Sequence, residues 1–119
     1  MMLENELYTV VERGPNVVTV RMLPESKIYK AHFPGAPVTP GVCQVGMVQE
    51  QLEVTTRRRF SLREVKTLKF LDVLRPDNGG DVVMQFDKVD EDGNLLSVRG
   101  LVRVGERIYT KYSLIFEIL

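Results

Sequence analysis

The sequence predicts an α+β fold in which an antiparallel sheet of about six strands wraps around one central helix. Three observations lead there. Most of the chain alternates apolar and polar residues with a period of two, the signature of strands. One segment, Gly41 to Val54, lacks proline and repeats apolar residues at Val42, Val45, Val48 and Leu52, which is helical spacing. The chain has 119 residues, 44% of them hydrophobic and 27% charged, which fits a single globular domain over 1–119 with enough chain to bury a core.

The elements follow in order. Leu7 to Glu12 and Val17 to Met22 read as short strands around the turn Gly14-Pro15-Asn16. The helix comes next. Thr39 is placed to cap its N-terminus, Pro40 suits its first turn, and Arg57, Arg58 and Arg59 follow its negative end. Glu64 to Leu74 is a strand rich in Val, Leu and Phe, and Arg75 to Gly80 is a loop. Val82, Met84 and Phe86 share one face of the next strand, which ends in the turn Asp90 to Asn94. Leu96, Val98, Gly100, Val102 and Val104 alternate with Leu95, Ser97, Arg99, Leu101 and Arg103. After a short hairpin at Val104-Gly105-Glu106-Arg107, the residues Ile108, Thr110, Tyr112, Leu114, Phe116 and Ile118 form one face of the last strand. The order is mostly that of antiparallel hairpins, with the apolar helix expected to be buried along its length.

Composition excludes several classes. Sixteen basic side chains balance sixteen acidic ones, so no overall field points to nucleic acid or an anionic membrane. One cysteine excludes an internal disulfide and suits a reducing cytosol, so a cytoplasmic location is expected. Met1 to Leu7 carries Glu4 and Glu6 and no apolar run, so no signal peptide is expected, and no stretch approaches the roughly eighteen apolar residues that span a bilayer. With one histidine, one cysteine and no phosphate-binding glycine loop, no metal, redox or nucleotide cofactor is expected.

The chemistry concentrates in one place. Ala31 to Glu53 holds the only histidine, His32, and the only cysteine, Cys43. A proline-rich loop delivers His32 and leads into the N-terminus of the helix. The first amides of a helix have no internal partner and its dipole makes that end positive, so they can hold a carbonyl oxygen that gains negative charge. An imidazole that titrates near neutrality is the natural base beside it. The pair suits proton abstraction next to a thioester carbonyl, and the prolines preset the geometry.

The stretch His32-Phe33-Pro34-Gly35-Ala36-Pro37-Val38-Thr39-Pro40-Gly41-Val42 resembles the HFPGxPxxPGV motif of the hotdog-fold 3-hydroxyacyl-[acyl carrier protein] dehydratases, the FabZ-like group and its FabA relatives. The strand and helix order agrees with a hotdog fold over nearly the whole chain. The resemblance implies removal of water from a 3-hydroxyacyl thioester carried on acyl carrier protein, in fatty-acid or related lipid or polyene biosynthesis. It implies a homodimer or higher oligomer, or a heterodimer with a related hotdog protein, with sites at the interface of paired sheets. Carried over by position, His32 is the base that takes the C2 proton. Gly41, with Val42, supplies the amide that polarises the carbonyl, and Phe33 lies beside the substrate. The family's acidic residue, fourteen positions after the histidine, falls on Gly46, which can only line the substrate's path. Ala31 stands where the dehydratases usually have glycine.

Glu50 is the nearest helical carboxylate, on the face of Gly46 and about one turn, roughly 6 Å, further on, and is the candidate replacement acid. Gln44 faces another direction. Cys43 is either a small core residue or a thiol activated by the helix end. The three arginines are either a solvated helix end or a docking point for an acidic carrier protein. Met47, Met84 and Phe86 are either core or walls of an acyl tunnel. Three functions stay open: a dehydratase, a non-catalytic or half-active hotdog partner subunit or acyl-binding protein, and an acyl thioesterase.

Overall fold

The computed structural model describes residues 2–119. Six strands form one sheet: β1 (Tyr8–Arg13), β2 (Val17–Met22), β3 (Phe60–Phe70), β4 (Val82–Asp92), β5 (Leu95–Val104) and β6 (Arg107–Ile118). Two helices, α1 (Lys27–Ala31) and α2 (Gly41–Thr56), lie between β2 and β3. Every pairing is antiparallel, and the strand order is β1-β2-β4-β5-β6-β3. Sheet plus central helix is therefore as expected, with one departure from hairpin order. After α2 the chain crosses to the far edge, where β3 pairs with β6, and β4 then returns to pair with β2.

The alternation read in the last three strands is the alternation of burial. Met84 and Phe86, Val98 and Val102, and Leu114 and Phe116 point inward onto α2, where Val45, Met47, Val48 and Leu52 meet them. The other side of the helix is covered by the N-terminal turn, where Leu3 and Leu7 are buried. The helix is thus held from two sides but is not buried along its whole length. Val42, read as part of the apolar stripe, is 78% exposed, and Val54 is exposed too. Met47, Met84 and Phe86 are packed in the core.

Three local expectations need correction. The third strand spans Phe60–Phe70, earlier than Glu64 to Leu74. Its partner decides this: Phe60 pairs with Ile118, and the ladder ends where the amides of Leu71 and Asp72 both donate to the Tyr109 carbonyl. The helix runs two residues further, to Thr56, where the Thr55 and Thr56 hydroxyls bond back to the Gln51 and Leu52 carbonyls and Arg57 turns left-handed at φ 56°. Thr39 does not cap α2. Pro40 takes the N-cap position, and the Thr39 hydroxyl bonds instead to the Tyr29 hydroxyl at 2.7 Å. The five-residue α1, started by the Ser26 hydroxyl accepting from the Ile28 amide, went unanticipated because it is too short to show a period.

Candidate active site

The His32 loop begins where α1 stops. His32 is the C-cap, its amide donating to the Ile28 carbonyl at 3.0 Å, and its side chain is exposed. Phe33 follows at φ 59°, the left-handed region that a bulky side chain enters only at a cost of about 1–2 kcal/mol. The Ala36 amide closes the turn onto the Phe33 carbonyl at 2.8 Å. The Phe33 ring is 66% exposed. From there the chain is tied down by the Thr39 amide, which donates to the Leu74 carbonyl at 2.7 Å, and α2 starts at Gly41.

Because no side chain caps α2, its first amides stay free. The amides of Cys43 and Gln44 both turn back to the Pro40 carbonyl, while those of Gly41 and Val42 donate to nothing among the described residues. Gly41 opens onto a cleft of about 310 Å³ whose other walls include Pro40, Gln44, Phe70, Asp72 and Val73. The backbone is bare where it meets Phe70: a Cβ at Gly41 would lie 2.4 Å from Phe70 Cζ, so a larger residue there would have to turn that half-exposed ring aside. The unpaired Gly41 amide, at the positive end of a sixteen-residue helix and on the wall of a mostly apolar cleft, forms a receptor for a carbonyl oxygen, with the free Val42 amide next along the chain. Asp72, also on the cleft, is ion-paired with Arg107, whose guanidinium lies over the Tyr109 ring.

The remaining candidates lie elsewhere. His32, Phe33 and Val42 are exposed and do not line the cleft. Gly46 faces the N-terminal turn: a Cβ there would meet Leu3 Cδ1 at 2.9 Å. Glu50 is not brought to the helix N-terminus. It lies nine residues along, roughly 13 Å down the axis, and its carboxylate is committed. It accepts from the amides of Leu3 at 2.5 Å and Glu4 at 3.0 Å and from the Tyr8 hydroxyl at 2.8 Å. The other carboxylate of α2, Glu53, accepts from the Phe60 amide at 2.9 Å. Glu50→Ala therefore strands three donors. It is expected to cost about 3 kcal/mol, read as a drop in thermal midpoint, whereas Tyr8→Phe should cost about 1 kcal/mol. A midpoint unchanged in Glu50→Ala would contradict this tethering role.

Cys43 is buried, and burial pushes its thiol above the ordinary range, so the helix end does not activate it. Burial also pushes the Tyr29 hydroxyl up to about 12, keeping it neutral in its bond to Thr39. Of the three arginines, Arg58 is engaged with Glu91 at 2.6 Å. Sequence reasoning missed Gln44. It is 4% exposed, turned into the sheet and present on the cleft wall. Lying off the apolar stripe of the helix, it gave no signal in the spacing.

Comparison with known proteins now adds a frame. A family model described as ApeI dehydratase matches residues 11–99. No curated protein sequence matches. Among solved structures, the dehydratase heterocomplex ApeI:P from Xenorhabdus doucetiae superposes with a TM-score of 0.69 at 19% identity, covering 92% of this chain and 97% of that one. A thioesterase from Haemophilus influenzae superposes at 0.67 with 12% identity, covering 97% of this chain and 80% of that one. A mutant thioesterase from Pseudomonas aeruginosa superposes at 0.62 with 14% identity, covering 94% and 81%. At such identities the structural likenesses carry the fold alone, and that fold is the hotdog.

Proposed function

The chain belongs to the ApeI-like dehydratase family, and from that premise we propose that it removes water from 3-hydroxyacyl thioesters of acyl carrier protein. The observation that carries the reading is the unpaired Gly41 amide on the wall of the cleft, with the unpaired Val42 amide beside it at the start of α2. With the thioester carbonyl on those amides, the C2 proton becomes acidic because the developing enolate oxygen is held by two N–H donors and the helix end. We assign that proton to His32, which is exposed, nine residues before Gly41 and off the wall of the cleft. The C3–O bond then breaks, and the hydroxyl leaves as water with a proton returned by the His32 imidazolium. No carboxylate of α2 is free to supply it, since Glu50 and Glu53 are both committed.

That last observation also favours a second reading, in which the chain is one half of a two-protein hotdog assembly and its partner brings the acid. The β3 edge suits such pairing. It has no neighbour on its outer side, and Leu62, Val65 and Phe70 along it are exposed. The solved ApeI:P complex is itself a dehydratase heterocomplex. Enoyl hydration separates the two. Purified protein given a trans-2-enoyl thioester on acyl carrier protein is expected to consume the conjugated enoyl absorbance unaided. Turnover that appears only with a second hotdog protein would replace the first reading with the second. Release of free thiol instead would mean a thioesterase.

A further inference from the structure

We propose that Gln44 is a gate that sets how long an acyl chain the cleft accepts. The inference rests on the cleft at Gly41 being where the thioester binds. Gln44 belongs to two spaces at once. On one side is the open cleft beside Gly41. On the other is a slot between α2 and the sheet, walled by Val45, Val48, Leu68, Val102 and Tyr112. The slot is closed: its walls meet, leaving no room even for a water molecule. It continues from the cleft along β3, where Phe70 lines the first space and Leu68, on the same face two residues back, lines the second.

The gate is latched. Thr110 Oγ1 donates to Gln44 Oε1 at 2.7 Å, and Gln44 Nε2 donates to the Thr39 carbonyl at 3.2 Å. Thr39 is itself held by Tyr29 and by the Leu74 carbonyl, and Thr110 is buried on β6. An amide with both ends bonded in a dry environment resists rotation, because turning away leaves two buried polar groups without partners. A thioester with its carbonyl on the Gly41 amide meets Gln44 one turn on, roughly 4.5 Å along the axis, within reach of about a four-carbon acyl group. Longer chains must break the latch and part the apolar walls. Apart from Gln44, Thr110 and Tyr112 the closed slot is lined by aliphatic side chains, which suit an acyl tail.

The test uses pantetheine thioesters, 3-hydroxyacyl for binding and trans-2-enoyl for hydration, with acyl groups of four to twelve carbons. They are compared on the full chain, Gln44→Ala and Thr110→Val. The parent is expected to favour the shortest chains. Gln44→Ala should raise binding of the ten-carbon thioester relative to the four-carbon one by about tenfold or more. Thr110→Val, which removes the latch at nearly constant volume, should move the ratio the same way by less and decides the question if Gln44→Ala does not fold. A parent that binds ten and four carbons equally, or two folded variants that keep the parent's profile, overturns the gate. Binding with no hydration sinks the unaided dehydratase and leaves the gate measured. Binding of no thioester sinks both.

Discussion

His32→Ala is expected to lower hydration of an enoyl thioester by about 10²–10⁴-fold while leaving the fold's stability within about 0.5 kcal/mol of the parent. The imidazole is exposed and makes no hydrogen bond among the described residues, so nothing structural depends on it. Its backbone holds the end of α1 through the Ile28 carbonyl, and alanine keeps that bond. The loss should fall on kcat, because the proton moves only in the transition state, with KM nearly unchanged. Free imidazole should restore part of the rate, since the side chain sits at an open surface. Equal rates for variant and parent would remove His32 from the reaction and leave the helix amides as a binding site only.

Gly100→Ala is the largest stability change expected, on the order of 4 kcal/mol. Gly100 sits mid-strand in β5, opposite Phe86 on β4 and Tyr112 on β6. A Cβ there would lie 1.9 Å from the Gln85 carbonyl oxygen and 2.5 Å from the Tyr112 hydroxyl. That hydroxyl donates to the same carbonyl at 2.7 Å, so the added carbon lands in a buried hydrogen bond. Backbone cannot move aside without disturbing both ladders. Adding Tyr112→Phe should recover little, because the carbonyl remains in the way. A melting midpoint for Gly100→Ala within a few degrees of the parent would show that the sheet yields there.

The strands from Val82 onward were legible where their burial alternates and where their turns carry Gly93 and Gly105 at positive φ, but Asp90 to Asp92, read as turn, extend β4 to Asp92, paired with Leu95 to Ser97, because the exposed end of β4 shows no alternation. The helix was legible from its period, and its N-terminal amides followed from its start. What period and propensity could not reveal was decided by partners distant in sequence. Thr39 looked like a cap until Tyr29 claimed its hydroxyl. Glu50 looked close to Gly46 by helical offset, but the N-terminal turn intercepts both, through the Leu3 amide and the Leu3 side chain. Val42 fitted the apolar stripe by spacing, yet its side chain is exposed while its neighbours Cys43, Gln44 and Val45 are buried. Gln44 lies off that stripe, and its buried bond to Thr110, 66 residues away, could not be read from spacing along the helix.

The strand order carries a consequence for how the molecule is made. Helix α2 and strand β3 leave the ribosome well before β6, yet among the described residues β3 has β6 as its one neighbour in the sheet. Its last rung joins Phe60 to Ile118, and the Leu119 amide reaches back to the Arg59 carbonyl at 3.0 Å. Until those final residues emerge, the exposed apolar side chains of β3 have no strand to lie against. Productive folding must therefore wait for a long loop to close, which places this chain among the slower small domains and leaves β3 most in need of protection on a nascent chain.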